Sequence, residues 1–289
     1  MNKVLPLVSV CLPTFNGEKY ILEALNCIKN QTYRNIELII SDDDSKDQTL
    51  IIIQDFIRDF DFPVFIFNHI PKGIGANWNN CIEKANGEFI KFLFQDDLLE
   101  PTCIEALIKP LLECNKVGLS FCRRKIIYNK TNKEDIEWIK KYRNLHTSWT
   151  NLKPIQNGTK LLNDINFLEN PKNKVGEPIV VLLRKEVFSN IGYFNNDLKQ
   201  SLDYEFWYRV FTKYKVAFVD EELASFRLHV EQASSVNNKI KIDDYELYPH
   251  IIYKTSFKFL SINNKVKLFL KYHPIGNVIS RIKRKWQKL

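Results

Sequence analysis

Two aspartates, Asp96 and Asp97, stand side by side where the apolar run "FIKFLFQDDLLEP" breaks off. Adjacent carboxylates repel each other and lose hydration at the edge of a core, so a compensating positive group is expected. Paired Asp at such a point suits a hard divalent cation, Mg2+ or Mn2+, bound by a few carboxylate oxygens and completed by phosphate and water. A cation there neutralises a departing diphosphate, which is Lewis-acid leaving-group catalysis. The plain alternative is a solvated turn, because Asp favours loops and helix starts. Two further polar clusters, Pro13-Thr14-Phe15-Asn16 and Ser41-Asp42-Asp43-Asp44-Ser45, end two other apolar runs.

The elements that must carry these clusters alternate between strand and helix. "PLVSVCLP" reads as a strand ending at Pro13, and "GEKYILEALNCIKNQ" as a helix with Ile21, Leu22, Leu25 and Ile28 on one face. "NIELIISD" is a second strand, after which Ser45-Lys46-Asp47-Gln48 has the pattern of a capping box opening "QTLIIIQDFIRDF". "FPVFIFN", a helix over 76–85 and the strand "GEFIKFLF" follow. Pro101 then suits the first turn of another helix, which Pro110 should kink or end. This alternation predicts an α/β fold, a mostly parallel sheet flanked by helices. Ligands of such sheets gather at the carboxyl ends of the strands. All three polar clusters fall on that edge, which weighs against three unrelated solvated turns. Residues 123–174 are less regular and read as a lid or an acceptor-facing subdomain. "EPIVVLLRKEVF" restores a strand. "SLDYEFWYRVFTKY" is a helix with Phe206, Val210 and Phe211 inward, and "KVAFVDEELASFRLH" one or two closing strands.

The chain of 289 residues, 45% hydrophobic and 26% charged, has the composition of a globular protein and no apolar run near the roughly 20 residues of a membrane span. Its start reads as a first strand and not as a secretion leader, so a cytosolic location is expected. The six cysteines are scattered without zinc spacing and read as reduced, mostly buried thiols. No Gly-rich phosphate loop of either common type is present, and Gly73-Ile74-Gly75 lacks the rest of a dinucleotide fingerprint. Phosphate recognition would then rest on a metal and on cationic side chains.

Five stretches, "VSVCLPTFNGEKYI", "LIISDDDSKDQT", "GIGANWNNCIEKANGEFIKFLFQDD", "LDYEFWYR" and "FRLHVEQAS", resemble, in order and spacing, the inverting family 2 glycosyltransferases of the GT-A fold, over residues 6 to 235. The resemblance implies a nucleotide-binding half, 1–122, and an acceptor-binding half, 123–237; beyond it, residues 238–289 read from their charge and spacing as a basic amphipathic helical region. It implies that Pro13, Thr14 and Asn16 line the nucleotide of a UDP-type sugar donor and that Asp42 or Asp43 meets its base or ribose. Asn79, beside Trp78, would help shape the donor pocket. Gln95-Asp96-Asp97 matches the metal motif, with Asp97 the direct ligand of Mn2+ or Mg2+ and Asp96 nearer the ribose or sugar. His229 of "FRLH" matches a position near the metal or diphosphate, against the alternative of a structural histidine. Asp203 matches the catalytic base, with Glu205 as the fallback, and Trp207 and Tyr208 would touch an acceptor sugar or pack on the helix. Phe94 stands where the metal motif often has another Asp, and Asp44 where many members have Gly.

The net charge of +8 is uneven. Residues 254–289 hold ten Lys or Arg and no acid, so the first 253 residues carry −2. That argues against a nucleic-acid binder and for a tail lying on an anionic membrane surface, the inner face of the plasma membrane. The alternative is a helix packed on the catalytic domain with a solvated basic face. A glycan or lipid-linked glycan acceptor in surface-polysaccharide synthesis fits such a tail. Two other functions stay open from sequence: a sugar nucleotidyltransferase, and a non-catalytic nucleotide-sugar-binding protein.

Overall fold

The computed structural model describes residues 5–232 and 242–286. The expected boundary at 237/238 lies outside the described residues. Strands β1 (Val8–Thr14), β2 (Ile36–Asp42), β3 (Val64–Asn68) and β4 (Phe89–Phe92) form a parallel group in the order β3-β2-β1-β4. β1, β2 and β4 are buried along their whole length, which is why their sequences run apolar without alternation. The crossovers are α1 (Ile21–Lys29), α2 (Thr49–Phe56) and α3 (Ile74–Lys84). On α1 the buried stripe is Ile21, Ala24, Leu25 and Ile28, whereas Leu22 points to solvent.

Beyond β4 the sheet turns mixed. It passes through the two-residue β5 (Leu98–Leu99), α4 (Cys103–Glu113), β6 (Val117–Ile127), α5 (Lys133–Tyr142), β7 (Ile155–Asn157), α6 (Gly158–Leu162), β8 (Val181–Arg184), α7 (Glu186–Ile191), α8 (Leu202–Phe211) and β9 (Lys215–Arg227). β8 lies antiparallel between β4 and β6, while β6 and β9 pair in parallel. Pro101 precedes α4, and Pro110 sits in its last turn without ending it. The β6–β9 register shifts on both sides of Arg123, an irregularity that re-aims the strand just before Arg124.

The C-terminal region consists of α9 (Asp244–Thr255), α10 (Ile262–Tyr272) and α11 (Pro274–Trp286). α9 packs against α8 and the turn before it. The Asp244 carboxylate accepts the N–H groups of Lys199, Gln200 and Ser201 and the Ser201 hydroxyl at 2.7–3.1 Å, which holds the turn leading into α8. Tyr248 packs edge-on to Tyr204 with ring centroids 4.8 Å apart. On α10, Leu268 is buried and Asn264 donates to the Asp164 carbonyl. On α11, Ile275, Val278, Ile279 and Ile282 are 46 to 61% exposed and recur at helical spacing as one outward stripe. α9 and α10 are packed, whereas α11 leaves this apolar stripe exposed. No helix among the described residues is long and apolar enough to cross a membrane.

Candidate active site

The carboxyl ends of β1, β2 and β4 bring the three polar clusters together. Thr14 donates to Asp42 Oδ2 at 2.8 Å, and Ser45 donates to both Asp42 oxygens, at 2.8 Å from its N–H and 2.7 Å from its hydroxyl. Asp42 therefore spends its acceptors building the turn and has little left for a ribose. The Ser45 hydroxyl also accepts the Asn16 N–H at 2.9 Å, and Asn16 Oδ1 accepts the Lys46 N–H at 2.8 Å. Ser45 belongs to this turn and does not cap α2 as the capping-box pattern suggested. Asp47 and Glu18 receive the free N–H groups of Thr49 and Gln48. Asn16 adopts φ 48°, a left-handed conformation that Asn tolerates. Gln95 fixes the same turn from β4's side, accepting the Phe15 N–H and donating to the Phe15 carbonyl, both at 2.9 Å. Pro13 is buried at the strand end beneath it. Asp43 is held by His69 Nδ1 at 2.5 Å, and burial weakens its acidity against the opposing pull of that ring.

Asp97 is 1% exposed, with Oδ1 accepting the Arg227 N–H at 2.9 Å. Its other oxygen is buried with no hydrogen-bond partner among the described residues. Burial first, and the neighbouring Asp96 charge second, push its pKa well above the usual carboxylate range. Asp96 is more accessible and meets His229 Nε2 at 2.8 Å. His229 also lies against the Tyr20 ring, 5.2 Å between centroids. Arg227 donates to the Asp96 carbonyl at 2.8 Å and to Glu23 at 2.7 Å, and stacks 4.5 Å over Tyr20.

Asp203 opens α8 and is 8% exposed. Oδ2 accepts Asn173 Nδ2 at 2.8 Å and Oδ1 accepts the Tyr204 N–H at 2.7 Å. Its pKa is also raised well above the carboxylate range, by burial first and then, against the pull of the Tyr204 N–H, by the charge of Glu177. Glu177 raises Asp97 in the same way, so one carboxylate stands within electrostatic reach of both the acidic pair and Asp203. Glu177 faces Arg124 Nε at 3.0 Å. Arg124 is buried, flanked by the Trp138 and Phe226 rings. Sequence reasoning missed Asn173, Glu177 and Arg124. The available signal was a charged residue, Arg124, interrupting the apolar strand "GLSFCRRKII" near the predicted site.

Other expectations are corrected. Asn79 spends both amide hydrogens and one oxygen lone pair on the Phe194 backbone and Asn196 at 3.0 Å, which ties α3 to that loop. Trp78 is buried and stacks on Phe94, the residue that replaces the extra Asp of the motif. For Trp207 and Tyr208 the packing alternative holds: both are fully buried, bonded to the Gly176 carbonyl at 3.0 Å and the Lys172 carbonyl at 2.5 Å. Glu205, the fallback base, is locked in a two-point pair with Arg209 at 2.7 and 3.0 Å.

The sequence profile of glycosyl transferase family 2 matches residues 9–191. The chain belongs to that family. An uncharacterized protein of Mycobacterium tuberculosis is 31% identical over 79% of this chain and 69% of its own length. A Campylobacter jejuni GalNAc(5)-diNAcBac-PP-undecaprenol beta-1,3-glucosyltransferase is 35% identical over 36% of this chain and 34% of its own. Among solved structures, S. aureus TarS 1-349 in complex with UDP-GlcNAc superposes with a TM-score of 0.65 at 20% identity, covering 92% of this chain and 71% of that one. The Pyrobaculum calidifontis mannosyltransferase with GDP-Man and Mn2+ gives 0.56 at 16% identity, over 88% and 63%. The fold is GT-A and the protein is a glycosyltransferase.

Among the described residues no three or more His, Cys, Asp or Glu side chains surround one point as a ready cation cage. The acidic pair nevertheless fits a cation that takes its remaining ligands from diphosphate and water. The orphaned, buried Asp97 oxygen lacks a partner, and neither Asp97 nor Asp203 has an ion-pair partner among the described residues.

Proposed function

We propose that this glycosyltransferase moves a sugar from a UDP-sugar, with inversion, to a hydroxyl of a lipid-linked glycan in surface-polysaccharide synthesis, and that it depends on Mn2+ or Mg2+. The observation that carries the reading is the placement of Asp203, buried and with weakened acidity, in the same electrostatic field as the acidic pair at the β4 end. A carboxylate whose affinity for protons is raised in this way is the better general base.

Asp97 and Asp96, with His229 beside them, would hold the cation, which supplies positive charge to the leaving diphosphate. The turn made by Pro13, Thr14 and Asn16 would position the nucleotide, and Asp43 with His69 would face its base or ribose. Asp203 accepts the proton of the acceptor hydroxyl as that oxygen bonds to the anomeric carbon. The bond from that carbon to the diphosphate oxygen breaks on the opposite face, and the nucleoside diphosphate leaves with the electron pair. Arg227, bonded to the Asp96 carbonyl, keeps positive charge near the leaving group. The likeness to a glucosyltransferase whose name describes an undecaprenol-diphosphate glycan supports a lipid-linked acceptor. The outward stripe of α11, beside Arg281 and Lys283, supports contact with an anionic membrane on its cytoplasmic face.

Asp203→Asn tests the base. Turnover of UDP-sugar should fall by about 10²–10⁴-fold while UDP still binds. A variant turning over near the wild-type rate removes Asp203 from the mechanism.

A further inference from the structure

One loop builds the surroundings of Asp203. Within residues 169–177 the buried Lys174 ammonium donates to the carbonyls of Glu169 and Pro171 at 3.1 and 2.9 Å, and burial draws its pKa down to about 8. Tyr208 donates to the Lys172 carbonyl and accepts the Lys174 N–H at 3.2 Å, while Trp207 Nε1 donates to the Gly176 carbonyl. The loop is thus bonded to α8 on both sides of Asn173. The Asn173 amide has no freedom to turn over. Oδ1 accepts the N–H groups of Val175 and Gly176 at 3.1 and 2.8 Å, which leaves Nδ2 as the donor to Asp203.

Four residues on, Glu177 brings a negative charge into reach of the same carboxylate. The loop therefore offers Asp203 one group that favours its charged form and one that opposes it. The other charged or titratable groups facing Asp203 among the described residues are Arg124 from β6, which favours ionisation, and Tyr204 and Tyr208 from its own helix.

We propose that Asn173 is a positioning residue for Asp203: it fixes the direction of the proton-accepting oxygen and, with Glu177, sets the pH at which that oxygen is ready to accept a proton. The proposal rests on the reading of Asp203 as the base.

The test is a carboxyl-carbon NMR titration of the full chain labelled at Asp, in EDTA, with the Asp203 signal identified by its loss in Asp203→Asn. Removing a hydrogen bond to an ionised group should weaken the acid about tenfold or more in Asn173→Ala. Glu177→Gln should strengthen it. Movements in opposite directions are not produced by a general loosening of the fold, and Glu177→Gln leaves the Asn173 bonds in place. The acidic limb of the kcat–pH profile for UDP-sugar turnover should move up in the first variant and down in the second, with the donor KM unchanged. An Asp203 titration unmoved by either variant overturns the proposal. A titration that moves as stated while the kcat limb stays put upholds the loop's hold on the carboxylate and removes Asp203 as the base.

Discussion

Gln95 gives the sharpest separation between stability and donor binding. Its amide makes two hydrogen bonds to the Phe15 backbone at 2.9 Å, and these pin the turn in which Asn16 holds φ 48°. Both bonds are solvent-exposed, so in Gln95→Ala water takes over the freed N–H and C=O. Each bond then costs toward the low end of about 0.5–1.5 kcal/mol, about 1 kcal/mol together. For a chain of this size that lowers Tm by no more than about 2–4 °C. The same 1 kcal/mol no longer favours the binding-competent turn, so its ratio to displaced turns falls about fivefold, and the UDP affinity should fall by up to that factor. Gly17→Ala is an independent route to the same displacement, because an added Cβ would lie 2.4 Å from Gln95 Oε1. Thermal melts and calorimetric UDP titration of both variants check this. Unchanged UDP affinity in a Gln95→Ala protein with the small Tm loss would refute the placing of this turn in the donor site.

Asp97→Asn should make the metal-free protein more stable at neutral pH. Asp97 has a raised folded-state pKa, so the native protein binds the extra proton and loses stability as pH rises from the unfolded carboxylate value, about 3.9, through the folded one. The Asn variant lacks that loss. Urea unfolding in EDTA should show the two proteins converging at about pH 4 and separating with rising pH, by about 1.4 kcal/mol for each tenfold by which burial weakens the acid; a constant difference from pH 4 to 8 would contradict it. Deletion of residues 274–289, which removes α11 and spares the packed α9 and α10, should abolish binding to vesicles rich in anionic lipid while leaving UDP affinity unchanged. Equal vesicle binding by the two proteins would exclude α11 as the membrane contact.

The parallel half of the sheet was legible because strands buried on both faces read as uninterrupted apolar runs and their crossover helices keep a helical period. The acidic pair was legible for a related reason: charge at the end of such a run has no packing explanation. What escaped was set by long-range pairing. Trp207 and Tyr208 follow Asp203 in the sequence, yet α8 is buried almost all round, and they bond to the 169–177 loop instead of facing outward. Asn79 looked like a pocket residue because it neighbours Trp78, but its partners lie 115 and 117 residues away. Asp244 sat in what read as the start of a separate tail, and only the fold shows it holding the turn before Asp203. Asn173 lies in a stretch with no periodicity and Glu177 at the polar edge of the run "EPIVVLLRKEVF", so nothing local distinguished either from a solvated polar residue.

The most direct measurement is calorimetric titration of UDP into the wild-type protein and Asp97→Ala, each with and without Mn2+. The account predicts tight binding to the wild type that requires Mn2+, and loss of the metal-dependent part in the variant. Metal-independent affinity, equal in both proteins, would contradict a cation-held diphosphate at Asp96 and Asp97 and return the pair to a structural turn.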